Sequence, residues 1–274
     1  MTQKNFLPEH KLDIIGALLL IAGAFVPSMA VGFCVITYDL ITGYDTVNSD
    51  YTLVIANTIM WLGAIWTFDY FSYRPQTGKK LNFDLSSRDL STYIIIFGMM
   101  IGMMFIGETV TSLIPITGPI FGPLYDSFSR LMEQMTSDTS TMILMVVIFA
   151  PLFEEIVFRG IIQKGMINNG FNPTNAIIIS SIIFGLVHAN PWQFVGAGLL
   201  GYVLGLVYHK TNSLLLPILL HAFNNLTAVI TTEYFKIESF GEIFNVSQWV
   251  IFGIGIVLFT IFHQLFLKKY PSKL

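Results

Sequence analysis

Long apolar stretches separated by short polar segments cover almost the whole chain. Eight of these stretches come close to the roughly 20 residues that an α-helix needs to cross a bilayer. We therefore predict an all-α fold, a polytopic membrane helix bundle with about eight transmembrane helices in a single membrane domain, residues 1–274. The predicted spans are residues 14–37, 53–71, 93–114, 139–163, 173–189, 194–208, 214–231 and 249–267.

The composition supports a membrane protein and excludes other classes. Hydrophobic residues make up 54% of the 274 residues and charged residues only 11%, whereas soluble domains carry about 25% charged residues. The net charge of −3 gives no reason to expect a nucleic-acid partner. The single cysteine, Cys34, excludes an intrachain disulfide and a cysteine zinc cluster. The partner that the composition does predict is the lipid bilayer.

Basic residues concentrate in alternate loops, and this pattern predicts an orientation. If the N-terminus is cytoplasmic, the outer loops hold only two basic residues, Arg130 and Lys236. Because cytoplasmic loops are enriched in lysine and arginine, we predict that both termini are cytoplasmic. An odd number of spans would mix the two kinds of loop. In one outer loop, the amphipathic run 125–135 is predicted to be an interfacial helix.

The fourth span contains charged residues at a depth where charge is costly. Near a helix centre each such side chain costs roughly 2.5–3.5 kcal/mol to insert. Glu155 and Arg159 are four residues apart, so they share a helix face and can form an ion pair. Glu154 is turned about 100° from Glu155 around the helix, so we expect its partners on other helices. We interpret Glu154 as a residue that takes part in the reaction and the ion pair Glu155–Arg159 as its structural support.

Two later spans carry polar side chains at one-turn spacing. His188 follows Phe184 by four residues, and His221 precedes Asn225 by four, so the members of each pair lie on one helix face. With Glu154 they form a carboxylate, two imidazoles and an amide on three helices. A desolvated carboxylate can accept a proton from water, and imidazole or amide donors can stabilise an oxyanion. We therefore predict a catalytic core at about residues 139–231 that hydrolyses amide bonds.

No serine or cysteine nucleophile is well placed for this reaction. The same residues also allow a second chemistry, since Glu154, His188 and His221 could be three ligands of one Zn²⁺ with water as the fourth. The sequence by itself assigns no cofactor, and zinc stays an open alternative.

The ordered polar residues resemble a known family. The CPBP intramembrane proteases, which include the type II CAAX prenyl proteases and bacterial Abi-like proteins, share three motifs in this order on successive membrane helices. In this sequence the motifs read Glu154-Glu155-x-x-x-Arg159, Phe184-x-x-x-His188 and His221-x-x-x-Asn225.

The resemblance implies a function and roles for these residues. Glu154 and His188 would activate water, and His221 with Asn225 would form the oxyanion hole. The chain would be an intramembrane endopeptidase of a bacterial cell membrane that acts on a membrane-associated protein or peptide. The eukaryotic relatives suggest that this substrate is prenylated. The family includes enzymes described as metalloproteases and as glutamate-dependent, and both mechanisms stay open here.

The alternative is a non-catalytic membrane protein. It would be an immunity or scaffold protein, or a transporter that uses the polar cluster for ion coupling. A transporter commonly shows inverted repeats and discontinuous helices, and the sequence contains no repeat. Two further features are interpreted as structural. These are Glu108 in the third span and the glycines Gly196, Gly198, Gly201 and Gly205, which indicate close helix packing.

Overall fold

The computed structural model describes residues 10–47, 49–135, 138–237 and 239–271. Within these residues the chain forms helices and connecting segments and contains no strand, so the prediction of an all-α fold is confirmed. The predicted cytoplasmic termini, at residues 1–9 and 272–274, lie outside the described residues.

The helices follow the predicted apolar stretches closely. They are α1 Ile14–Thr42, α2 Asp50–Thr77, α3 Leu90–Ser112, α4 Phe121–Met135, α5 Thr139–Asn168, α6 Pro173–Leu186, α7 Pro191–Thr211, α8 Leu215–Tyr234, α9 Phe240–Phe244 and α10 Gln248–Lys269. Of these described helices, seven are long and apolar enough to cross a membrane: α1, α2, α3, α5, α7, α8 and α10. The prediction of a polytopic bundle is confirmed, and α4 contains the run that was predicted to be an interfacial helix.

The fifth predicted span is shorter than the sequence indicated. Helix α6 has 14 residues, which corresponds to about 21 Å against a hydrocarbon core of about 30 Å. The chain leaves the helix because Ala189 takes a left-handed conformation with φ of 56°. Asn190 then caps α7 by accepting a hydrogen bond from the Gln193 backbone N–H. The helix therefore ends just before His188 instead of including it.

The helices form two compact groups. The first helix group contains α1, α2 and α5, and the second contains the other helices. In the first group the core includes Leu20, Phe68 and Ile161. The core of the second group includes the methionines of α3 together with residues of α7, α8 and α10.

Glycines allow close helix contacts inside each group. In the first group, a Cβ atom added to Gly23 of α1 would lie 2.5 Å from the Gly63 carbonyl oxygen of α2. In the second group, a Cβ atom on Gly102 of α3 would lie 2.5 Å from the Phe259 nitrogen of α10. A Cβ atom on Gly201 of α7 would lie 3.1 Å from the Ser181 Cβ atom, so the predicted close packing is confirmed at that glycine. Small residues at such crossings are typical of membrane helices.

Glu108 has a structural contact inside the second group. Its two carboxylate oxygens accept hydrogen bonds from the Phe240 backbone N–H at 3.0 and 3.1 Å. The side chain thereby satisfies a backbone donor at the start of α9 and ties that helix to α3. This contact agrees with the structural interpretation of Glu108.

Two glycines of α1 offer a matched test of the close contact. Gly23→Leu is expected to lower the free energy of unfolding by about 1–3 kcal/mol, because the new side chain overpacks against α2. Gly32→Leu should have little effect, since nothing lies within 4 Å of the position that its Cβ would take. Thermal unfolding in detergent measures both variants. Equal losses of stability would contradict the packing described here.

Candidate active site

Glu154 lies on α5, a helix whose hydrogen-bonding pattern changes twice. π-helical segments at Ile143–Phe149 and Ile156–Gln163 enclose a short α-helical turn, Ala150–Glu155. The Ala150 N–H donates to the carbonyl five residues back, on Met145. Pro151, the next residue, has no N–H to donate. Because π segments inside α-helices often occur at functional sites, the position of the two glutamates between them is consistent with a site.

The predicted ion pair of α5 is present and fully buried. Arg159 Nε lies 3.0 Å from Glu155 Oε2, and both side chains are 0% exposed. The charge of Arg159 also acts on Glu154, which is half-buried. From the sequence we expected the partners of Glu154 on other helices. One of the interactions of Glu154 is instead with Arg159 on the same helix. One guanidinium therefore interacts with two neighbouring carboxylates.

Aromatic side chains hold the segment that follows the ion pair. A Cβ atom added to Gly160 would lie 2.4 Å from the Phe83 Cε1 atom, so the missing side chain makes room for that ring. The loop that carries Phe83 is anchored by Asp69, which accepts a hydrogen bond from the Leu81 N–H at 2.7 Å. The Phe158 ring packs against Trp61 with centroids 6.2 Å apart. These contacts fix the helix immediately after the motif.

His188 lies just past the end of α6 in a defined orientation. Its Nδ1 atom is 2.8 Å from the Phe184 carbonyl oxygen. A carbonyl oxygen only accepts hydrogen bonds, so Nδ1 must carry the hydrogen and donate. In the neutral imidazole the Nε2 atom then has the lone pair, and it can accept a proton or bind a metal.

The structure brings His188 and His221 against the same aromatic ring. Phe184 is buried, and its ring centroid lies 5.3 Å from that of His188 and 5.5 Å from that of His221. Both contacts are nearly perpendicular, with interplanar angles of 90° and 86°. Phe184 therefore acts as a spacer that orients both imidazoles, a role that the motif spacing alone did not indicate.

Asn225 lies one turn after His221 on α8. The neighbouring Asn224 donates from Nδ2 to the Asn225 Oδ1 atom at 3.0 Å. Since Oδ1 accepts this bond, the N–H₂ group of Asn225 is directed away from Asn224. Asn224 thus orients the amide that the motif predicts to be functional.

The predicted residues are divided between the two helix groups. Glu154, Glu155 and Arg159 belong to the first group, and the structure brings them together there. The second group contains the other four, namely Phe184, His188, His221 and Asn225. Among the described residues, no three His, Cys, Asp or Glu side chains form a set that could hold a metal ion.

Fold and motif residues together define a class: a polytopic helical membrane protein with a buried ion pair next to a carboxylate in its first helix group and two oriented imidazoles in its second. Residues 136–227, which include all three motifs, match the sequence model of the Rce1-like family, described as type II CAAX prenyl endopeptidase Rce1-like. The resemblance to the CPBP intramembrane proteases that the motifs predicted is thereby confirmed for this part of the chain.

One curated relative supports the same assignment. The chain is 36% identical over 115 residues to YdiL of Bacillus subtilis (strain 168), a candidate membrane peptidase. The alignment covers 41% of this chain and 45% of YdiL, so the match spans less than half of the relative's length. No solved structure matches the chain significantly.

The buried ion pair can be tested by removing one partner. Arg159→Ala is expected to lower the free energy of unfolding by about 3–5 kcal/mol, because it leaves Glu155 buried without its counter-ion. Lys236→Ala, in a pair whose lysine is 71% exposed, is the control and should change stability little. The double variant Glu155→Leu/Arg159→Met should recover most of the loss. Thermal unfolding in detergent measures all three, and a similar effect of the two alanine variants would contradict the burial of this pair.

Proposed function

We propose that the protein is an intramembrane endopeptidase that hydrolyses peptide bonds of membrane-associated proteins or peptides with an activated water molecule. The observation that carries the proposal is the match of residues 136–227 to the Rce1-like family. The orientation of the two imidazoles around Phe184 supports it, since it leaves a lone pair on His188 Nε2.

In the proposed reaction, Glu154 is the general base. It accepts a proton from water, and His188 Nε2 accepts a hydrogen bond from the same molecule. The oxygen of that water attacks the peptide carbonyl carbon and forms a tetrahedral intermediate. The proton held by Glu154 then passes to the leaving nitrogen as the C–N bond breaks, which restores the carboxylate.

His221 and Asn225 form the proposed oxyanion hole. The Asn225 N–H₂ group can donate to the negative oxygen, and an imidazole N–H of His221 can donate beside it. Donors of this kind act most strongly where charge develops in the transition state. Phe184 and Asn224 hold these two groups in position. Glu155 and Arg159 are not assigned a chemical step, and their role is to fix the helix that carries Glu154.

The substrate and the orientation are further parts of the proposal. A substrate anchored at the membrane fits an enzyme embedded in it, and prenylation is the form of anchor that the family's description names. We also propose that both termini are cytoplasmic, from the distribution of basic residues, in the cell membrane of a bacterium. Comparison of one peptide with and without an isoprenyl group tests the anchor.

Substitution of the proposed base tests the function. Glu154→Gln and His188→Ala are each expected to reduce cleavage by at least about 10²-fold, because the first removes the acceptor of the water's proton and the second removes the hydrogen bond that orients the same water. Glu108→Gln is the matched control, since it also replaces a glutamate of a membrane helix but one whose carboxylate accepts hydrogen bonds from the Phe240 backbone N–H. Cleavage by the purified protein in detergent is measured with and without a chelator.

Three results would change this assignment. Turnover by Glu154→Gln at the wild-type rate would contradict the role of Glu154. Loss of activity on chelation, with recovery on adding Zn²⁺, would replace the water–glutamate mechanism with a zinc mechanism. The third result combines two observations: neither the wild type nor any variant cleaves membrane-associated peptides, and cells that carry Glu154→Gln behave like wild-type cells. That result would favour the non-catalytic immunity or scaffold alternative.

A further inference from the structure

A short extended segment before α1 crosses the ends of two helices of the first group. This N-terminal strap consists of His10, Lys11 and Leu12. The Lys11 N–H donates to Gln76 Oε1 at 2.8 Å, and the Gln76 amide donates back to the Lys11 carbonyl at 3.2 Å. The strap is therefore attached to the end of α2 through both backbone groups of its central residue.

The other backbone groups of the strap bind the end of α5. The Leu12 N–H donates to the Gly165 carbonyl at 3.1 Å. The side-chain amides of Asn168 and Asn169 donate to the His10 and Leu12 carbonyls at 2.9 and 3.0 Å. These contacts are specific, since each joins a defined strap atom to one residue at the C-terminal end of the helix that carries Glu154 or to the Asn169 cap that follows it.

His10 inserts its side chain between these helices. It is 1% exposed, and its Nε2 atom lies 3.0 Å from the Ile161 carbonyl oxygen. Because that oxygen only accepts, Nε2 carries the hydrogen. The ring also packs against Phe68 and Tyr73, with centroids 5.6 and 5.3 Å away. A Cβ atom on Gly165 would lie 3.0 Å from Nε2, so that glycine makes room for the imidazole.

The bonded carbonyl lies close to the motif. Ile161 is two residues after Arg159, inside the π-helical segment Ile156–Gln163. A hydrogen bond at this carbonyl restrains the part of α5 where the helix changes its pattern, within one turn of the buried ion pair. A shift there would move Arg159 and, through the charge interaction, the neighbouring Glu154.

We propose that His10 is a positioning residue, which in its neutral form holds α5 in the geometry that Glu154 needs and which releases the strap when it is protonated. This inference rests on the proposed function, because Glu154 is the group that the strap would position.

The surroundings of His10 decide the direction of the pH effect. Burial lowers the pKa of His10 below its ordinary value of 6.5, the hydrogen bond to the Ile161 carbonyl opposes this, and the charge of Lys164 on α5 lowers it further. Tyr73 faces the imidazole from α2, with Asp69 near its hydroxyl. Lys11 and Asp13 flank His10 on its own segment.

The sign of the linkage follows from the lowered pKa. A released strap takes up a proton near pH 6.5, whereas the bound strap takes it up at a lower pH. Binding of the strap is therefore fully favourable above about pH 6.5 and weakens as the pH falls below that value.

Variants of His10 separate positioning from a general effect on folding. His10→Ala is expected to lower kcat about fivefold to tenfold at pH 8 with little change in KM, a factor typical of one lost buried hydrogen bond. His10→Gln should keep most of the activity, because its amide can donate to the same carbonyl without titrating. Gln76→Ala, which removes the attachment of the strap to α2, should lower kcat at pH 8, and its difference from the wild type should shrink as the pH falls and the wild-type strap is also released.

The pH profile is the decisive measurement. Between pH 7.5 and 5.5, the ratio of wild-type kcat to His10→Gln kcat should fall about fivefold. His209→Gln, which removes a histidine of α7 in the second helix group, should follow the wild-type profile. As the pH falls over the same range, hydrogen exchange of residues 156–169 should rise in the wild type relative to His10→Gln measured at the same pH.

Two outcomes would overturn the positioning role. The first is that His10→Ala at pH 8 has the same kcat and the same hydrogen exchange as the wild type. The second is that the wild type and His10→Gln show parallel pH profiles of kcat. If the wild type shows no Glu154-dependent cleavage, the proposed function fails, and hydrogen exchange still decides whether His10 holds α5.

Discussion

The constraint on which this molecule depends is the cost of holding charge in hydrocarbon. The effective penalty of desolvation is several kcal/mol for each ion, and Glu155 and Arg159 are both fully buried. The ion pair at 3.0 Å helps to offset that penalty, so the turn of α5 that joins the two residues has little freedom to rotate. Glu154 is attached to the same turn, about 100° away, and its direction is fixed with it. We regard the ion pair as the element that directs the carboxylate proposed as the general base, since well-packed apolar residues would stabilise the helix at least as well.

The same helix departs from regular geometry on both sides of this turn. A π segment widens the helix and changes which carbonyls are bonded, and α5 has one before Ala150 and another after Glu155. The wider segments need external support, because their hydrogen bonds are less regular. In the first helix group this support comes from Phe83 against Gly160 and from the bonds of the strap near Gly165. Both glycines serve close approach by a neighbouring ring or chain.

Local sequence patterns predicted the spans and the ion pair because both depend on short spacings. Apolar length gives a membrane helix, and four-residue spacing gives the pair Glu155–Arg159. Long-range contacts were not predictable in this way. His10 precedes the first apolar run, and the carbonyl that it binds is 151 residues away, so no periodicity points to it. The end of α6 was also misplaced, because Val187 and Ala189 continue the apolar pattern while the conformation of Ala189 and the Asn190 cap interrupt the helix.

That early end of α6 has a chemical consequence for His188. In a continued α-helix the Phe184 carbonyl would accept the backbone N–H of His188, four residues later. Here the His188 N–H bonds to the Gly185 carbonyl at 3.2 Å instead. The Phe184 carbonyl is then able to accept from Nδ1 of the same histidine. In a full-length span the Phe184 carbonyl would have to accept from both the His188 backbone N–H and Nδ1. The shortness of α6, which is unfavourable for crossing a bilayer, leaves the His188 backbone N–H bonded to the Gly185 carbonyl, and the bond from Nδ1 keeps the lone pair on Nε2, where a proposed water-activating imidazole needs it.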